Sequence, residues 1–411
     1  MENISEAISI LQEAVRITSN GHRDMPAHLS NLGNAFLCRF ERTGEISDLS
    51  EAISVQNRGV QPTPDDHPDM STCLSNLGNS LWFQFKLTGD LMGLSGSISA
   101  HQRAIQLTPN GHPNMASMLN NLGASFQSRF QRTGDLSDLS EAISAQQRAI
   151  QIAPDGRPNR PSGLNNLGIS FLHRFGRMGN LSDISEGISA QQRDIELAPN
   201  GHQDMPGLLN NLGNSFLHRF KCTGRSDLSE GISTHQRAIQ ITPNGHTDMP
   251  SWLNNLGNSF LYSFQFTQDL SDLSEAISAQ ERAIKLIPNG HPNMQGLLNN
   301  LGHSFQYRFQ RTRGSVDYNA AINQFKKSAT KIGPPSLRLV AAQRWGRLAA
   351  VFNHPEAMEA YSIGVELLSK IAGMDRTIEQ RHTDLVNTRR TSNCQVGPPP
   401  VMSSDLSSRR L

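Results

Sequence analysis

Asn121-Leu122-Gly123-Ala124-Ser125-Phe126-Gln127-Ser128-Arg129-Phe130 decides how this chain is read, because it is one of seven near-copies. The Gly of Asn-Leu-Gly stands at 33, 78, 123, 168, 213, 257 and 302, at intervals of 45, 45, 45, 45, 44 and 45 residues. A fixed period of that size marks a solenoid in which one supersecondary unit stacks on the next. The single short interval falls between Gly224 and Asp227, which predicts a surface turn there, where a lost residue is tolerated.

Each copy predicts two helices. Leu29, Leu32, Gly33, Phe36 and Phe40 recur at spacings of three and four, one stripe of a first helix. Phe follows Gly by seven residues in every copy (Phe40, Phe85, Phe130, Phe175, Phe220, Phe264, Phe309), and by three in all but the second, which has Leu81. Such i, i+4 pairs share a face and are expected to form core between helices. A Gly in mid-helix costs about 1 kcal/mol against Ala, so a close helix–helix approach is expected at each one. The second helix is expected to open with a capping box, Asp48-x-x-Glu51, repeated from Asp138, Asp183, Asp227 and Asp272. It then runs through Ala142, Ile143, Gln146, Ala149 and Ile150 to a stop at Pro154. Capping accounts for these paired carboxylates without acid–base chemistry, so no enzyme is expected.

Composition narrows the function classes. The 411 residues are 36 % hydrophobic and 18 % charged, and 37 basic against 36 acidic residues leave a net charge of +1. Disorder of the whole chain would need lower hydrophobicity and higher net charge. A binder of nucleic acid that works by neutralising phosphates would need a basic excess or face, so no nucleic acid is expected as partner. Cys38, Cys73, Cys222 and Cys394 are too scattered for a disulfide framework or a Cys-based zinc site. Residues 1–20 carry Glu2, Glu6 and Glu13 and no continuous apolar core, unlike a secretory signal. No run is long and apolar enough for a membrane span, so no membrane partner and a cytoplasmic location are expected. His22, His67, His112, His202, His246 and His291 recur in the turn between hairpins, with Arg157 in the fourth. Equivalent positions two helices along are roughly 20 Å apart, too far to share one ion, so these predict turn packing, with no metal and no cofactor.

The order Leu-Gly-x-x-Phe, Ala-x-x-x-Gln-x-x-Ala and Pro, carried by Gly123, Phe126, Ala142, Gln146, Ala149 and Pro154, resembles the tetratricopeptide repeat. That family has Leu-Gly-x-x-Tyr, Ala-x-x-x-Phe and a terminal Pro in about 34 residues. The longer period here is explained by added turn residues, about seven within the hairpin and about four between hairpins. Gln56, Gln146, Gln191 and Gln280 replace the family's aromatic, which predicts looser packing of the second helix; Phe325 restores it. The resemblance covers residues 1–371. It comprises an opening second helix with Ile8, Leu11 and Val15, seven hairpins, and a divergent pair at 336–352 and 355–371 with Trp345 and Tyr361. Residues 372–411, with Gly397-Pro-Pro-Pro, lose the period and read as a disordered tail.

Long arrays with Leu-x-Asn-Leu-Gly and Ser-Asp-Leu-Ser-Glu-Ala-Ile are similar to fungal ones that commonly precede a caspase-like CHAT protease domain. The stretch from Trp345 to Tyr361 also resembles the junction into that domain. His382 and Cys394, the tail's His and Cys, lack a catalytic context. The resemblance implies an all-α, right-handed α-solenoid whose first helices line a concave groove for a peptide or protein. In that groove are expected Asn120, Asn165, Asn210, Asn254 and Asn299, three before Gly, with Asn34, Asn79, Asn214 and Asn258, one after it. These rows are i, i+4 on one face, and amides both donate and accept. A further Asn, two before Gly in every copy, is expected to bond between repeats. Arg39, Arg129, Arg174, Arg219 and Arg308, six after Gly, are expected in solvent or paired with the capping carboxylates. The reading is a non-enzymatic scaffold. The alternatives are a regulatory fragment of a CHAT-type protease lacking its catalytic domain and, third, an RNA-binding solenoid. The partnerless opening helix predicts fraying or self-association through this N-terminal half-repeat.

Overall fold

The computed structural model describes residues 2–371 except 20, 154–159, 200, 225–226, 289–290, 292, 332–333 and 353, and places Glu2 and 160–162 as helix only. The readings of Pro154, Arg157, the turn at the short interval and the tail with His382 and Cys394 therefore lie outside the described residues. Among those described there is no strand. The chain is an α-solenoid of tandem hairpins, divided into two compact units, Met1–His202 and Gln203–Leu411.

In the first unit the first helices are α2 (Met25–Thr43), α4 (Met70–Thr88), α6 (Met115–Thr133) and α8 (Arg160–Met178). Their partners are α3 (Ile46–Val60), α5 (Leu91–Leu107), α7 (Leu136–Ile152) and α9 (Leu181–Leu197), preceded by α1 (Glu2–Ile17). The second unit pairs α10 (Met205–Thr223) with α11 (Asp227–Ile241), and α12 (Met249–Thr267) with α13 (Leu270–Lys285). It then pairs α14 (Met294–Thr312) with α15 (Ser315–Thr330), and α16 (Pro335–Val351) with α17 (Glu356–Ile371). Within each unit the first helices touch from hairpin to hairpin, whereas among second helices α15 and α17 alone meet to a comparable degree. The first helices thus lie on the inside of each unit's curve.

The repeated Gly is explained by what lies over it. A Cβ on Gly123 would stand 2.7 Å from Gln146 Cγ, and one on Gly213 would stand 2.6 Å from the His235 ring. Gln56, His101, Gln191, Gln280, Phe325 and Tyr361 occupy the same place over Gly33, Gly78, Gly168, Gly257, Gly302 and Gly346. The Gln residues do not loosen the second helix as expected; they are wholly buried, with Cγ and Cδ lying over the bare backbone of the first helix. The paired Phe residues form the core beside them.

The capping box is a misreading. The second helices begin earlier than it implies, and their caps are Asp90, Asp135, Asn180 and Asp269, which accept from the N–H of Met92, Ser137, Ser182 and Ser271 at 2.9–3.1 Å. Asp48, Asp138, Asp183, Asp227 and Asp317 lie in the first turn and turn inward instead. Each takes a guanidinium from the first helix: Arg39–Asp48 at 2.6 Å, Arg129–Asp138 at 2.5 Å, Arg174–Asp183 at 2.7 Å, Arg219–Asp227 at 2.7 Å and Arg308–Asp317 at 2.6 Å. The same guanidinium lies over the Phe three residues back, 5.0–5.7 Å from the ring centre. A second-helix carboxylate thereby pins the hairpin at its closed end.

Candidate binding face

The Asn rows meet across the repeats. Asn121 Nδ2 donates to Asn79 Oδ1 at 3.0 Å, Asn166 to Asn120 at 3.1 Å, Asn255 to Asn210 at 3.0 Å and Asn300 to Asn254 at 3.0 Å. The ladder begins with Asn76 donating to Ser30 Oγ at 2.9 Å. The Asn two before Gly thus reaches back to the candidate row of the previous hairpin. Of the residues one after Gly, Asn34 and Asn258 accept from Gln56 and Gln280 at 3.2 and 3.3 Å. Asn214 and Asn165 are half-buried on the same face; Asn210 and Asn299 are buried. Each ladder bond uses one lone pair of an amide that has two donor hydrogens and two acceptor sites. The row is therefore held in register with capacity left over.

Two further columns share this face and were missed. Five residues after Gly stand Cys38, Phe83, Ser128, His173, His218, Tyr262 and Tyr307, which continue the i, i+4 progression of the Asn rows. Their variation from copy to copy is the signal that could have set them apart from the constant core positions. The other feature is charge. Among the eight first helices the sole carboxylate is Glu41, while Arg42, Lys86, Arg132, Arg177, Lys221 and Arg311 stand in their last turns. Cations suit a helix C-terminus, and they leave the face basic although the whole chain sums to +1.

The turn His residues cap helices. Nδ1 of His22, His67, His112, His246 and His291 accepts the N–H two residues on at 3.1–3.2 Å, just ahead of the next first helix. His67 Nε2 also bonds the carbonyl of Arg23 at 2.9 Å, tying one turn to the previous one. No helix among the described residues is long and apolar enough to cross a membrane.

Neither a family profile nor a curated protein matches the chain. Solved structures do. The apo form of the quorum sensor NprR from B. thuringiensis aligns with a TM-score of 0.58 at 11 % identity, over 89 % of this chain and 94 % of that one. The tandem helix hairpins agree with that likeness. The fold is that of a tetratricopeptide-repeat array. The C-terminal part of a tetratricopeptide-repeat protein from Cytophaga hutchinsonii gives 0.44 at 12 % identity, over 80 % of this chain and 98 % of that one. A monomeric mutant of IFIT1 with m7Gppp-AAAA gives 0.48 at 13 %, over 89 % and 76 %. The tetratricopeptide architecture here differs from a plain array in its longer period and in the Gln or His that six hairpins lay on Gly.

Proposed function

We propose that the chain is a non-enzymatic scaffold that holds an extended peptide or protein segment against the inner face of its first helices. The carrying observation is the amide ladder. Asn79, Asn120 and Asn254, half-buried, and Asn210, buried, are each fixed by a bond from the next hairpin, so they are pre-oriented before a ligand arrives. Amides spaced in this way suit a peptide backbone, which also alternates donors and acceptors. Asn34, Asn79, Asn120, Asn165, Asn210, Asn214, Asn254, Asn258 and Asn299 are the proposed contacts. The same reading takes residues 1–371 as the array and 372–411 as a tail outside it.

The test is affinity capture with wild type beside a variant in which Asn120, Asn165, Asn210 and Asn254 are all Ala. Each captured segment is then remade as a peptide and titrated directly, with circular dichroism confirming that the variant keeps its helices. Peptides that lose at least about tenfold in affinity on the variant support the groove; unchanged affinity refutes it. The protease-fragment reading is separated by the coding sequence downstream, where a reading frame continuing into a His/Cys protease domain would make this array its regulatory part.

A further inference from the structure

One place in the first unit departs from the repeat by lacking a side chain. Met118, on α6, is buried in a cluster with Met70, Leu74, Ala104 and Ile105 of the hairpin before it. Leu297, on α14, is buried in the same way with Met249, Leu253, Ala283 and Ile284. Both stand five before the repeated Gly, where Leu208 and Trp252 are also buried. In α8 that position is Gly163. Met115, Ala149 and Ile150, each 45 residues on, hold the places of Met70, Ala104 and Ile105. With Gly163 and Ile152 they line a cavity of about 230 Å³. A Cβ on Gly163 would stand 3.5 Å from Ile150 Cγ1, an ordinary contact, so a side chain here is not blocked at its root. Since a dry cavity of roughly 150 Å³ already holds benzene, the space admits a side chain the size of Leu or Met. The cavity also reaches the inner face. Asn120, a rung of the ladder that accepts from Asn166 at 3.1 Å, lines its wall, while the exposed Asn110 and Asn114 bring that wall out to solvent. A helical Gly and an unfilled apolar space each lower stability, so the fold by itself gains nothing from Gly163.

We propose that this cavity is an anchor pocket for one aliphatic side chain, of Leu or Met size, from the peptide held along the ladder. This rests on the groove reading above and adds to it the class of residue that the ligand carries. The ligand side chain completes from outside the cluster that Met118 completes from within one hairpin earlier. Asn120 holds the peptide main chain beside the opening. Burial of the aliphatic group supplies affinity. A polar side chain is rejected because Met115, Ala149 and Ile150 offer its groups no hydrogen-bond partner.

The experiment uses the full chain and two random-sequence peptide pools, alike except for a central residue fixed as Leu or Ser. Wild type is expected to bind the Leu pool roughly tenfold or more tightly than the Ser pool. Gly163→Leu, whose own side chain fills the cavity, is expected to raise the melting temperature. It should also bring binding of the Leu pool down to that of the Ser pool, which it leaves unchanged. Gly163→Ala is expected to weaken the Leu pool several-fold, and it decides the matter should the larger variant not fold. If wild type binds the two pools equally, and the fourfold Asn→Ala variant loses both, the groove stands and the pocket is overturned. A preference for Leu that persists undiminished in both Gly163 variants also overturns the pocket. Binding of neither pool overturns both readings.

Discussion

Hairpins α6–α7 and α8–α9 are close copies whose buried differences include one of charge. Both lay a wholly buried Gln on a Gly, Gln146 on Gly123 and Gln191 on Gly168, and in both the amide has no hydrogen-bond partner. Three residues further on, the first has Ala149, packed on Met115 and Leu119. The second has Asp194, 0 % exposed, with neither carboxylate oxygen hydrogen-bonded. Burial raises Asp194 from 3.8 to about 7. Among the described residues the repeat therefore tolerates a partnerless amide in its core at two hairpins but carries a buried, unpaired acid at one. A neutral amide costs far less than an ion in the same surroundings.

The largest effect tests that difference directly. A folded-state value above the unfolded one means that folding favours the protonated acid. The penalty is absent below about pH 3.8, grows as pH rises, and is complete above about pH 7. Asp194→Ala, which copies Ala149, is expected to stabilise the first unit by on the order of 4 kcal/mol at pH 8 and by little at pH 4. Thermal melts at the two pH values decide it, and an equal gain at both would remove the electrostatic explanation. The reciprocal Ala149→Asp should transfer the same pH dependence to α6–α7.

A middle-sized effect tests what the two hairpins share. A Cβ on Gly168 would stand 2.9 Å from the Gly187 carbonyl oxygen as well as 2.6 Å from Gln191 Cγ, and backbone cannot give way as a side chain can. In α6–α7 the corresponding carbonyl, that of Ala142, would be 3.1 Å away. Gly168→Ala is therefore expected to cost about 3 kcal/mol and Gly123→Ala about 2. Gly176, in the last turn of α8 with nothing near its missing Cβ, is the control, and Gly176→Ala should stabilise by up to about 1 kcal/mol. Urea unfolding of the three variants ranks them. A Gly168→Ala as harmless as Gly176→Ala would mean that the repeated Gly is not a contact residue.

How much of this was legible depends on the distance over which each interaction acts. The period, the Phe core and the need for Gly are written in spacings of three, four and 45, which the sequence displays directly. Asp138 was misread because a cap and an ion pair to Arg129 nine residues back use the same residue, and spacing alone does not say where the helix begins. The Asn ladder was legible as two rows, but its bonds join residues 42–46 apart and decide which lone pairs remain for a ligand. The column that holds Tyr262 and Tyr307 escaped because it changes from copy to copy, and a search for repetition passes over positions that vary. The near-zero total charge concealed a sorting of acids onto second helices that becomes visible once each helix is counted by itself. Asp194 stood in plain view as the one acid in a column of Ala, Gly and Ser.

The smallest expected effect extends the comparison to the helix ends. In α6 and α8 the chain leaves the first helix through Gly134 and Gly179, at φ 79° and 72°, each N–H bonding the carbonyl of the Phe four residues back at 2.7 Å. After α12 and α14 the same left-handed turn falls on Gln268 and Arg313, at φ 63° and 60°, with the same bond to Phe264 and Phe309. Since Cβ crowds the following carbonyl in that conformation, the turn costs about 1 kcal/mol more there than on Gly. The bond to the Phe carbonyl, and the packed Phe that supplies it, hold the turn against that strain. Gln268→Gly and Arg313→Gly should each raise the stability of the second unit by about 1 kcal/mol, less any gain in unfolded-chain entropy. Gly134→Ala should lower that of the first by a similar amount. Differential scanning calorimetry on the three variants would separate them by sign, and a loss at Gln268→Gly would show that its side-chain amide, which donates to Gln265 O at 3.1 Å, contributes more than the strain removes.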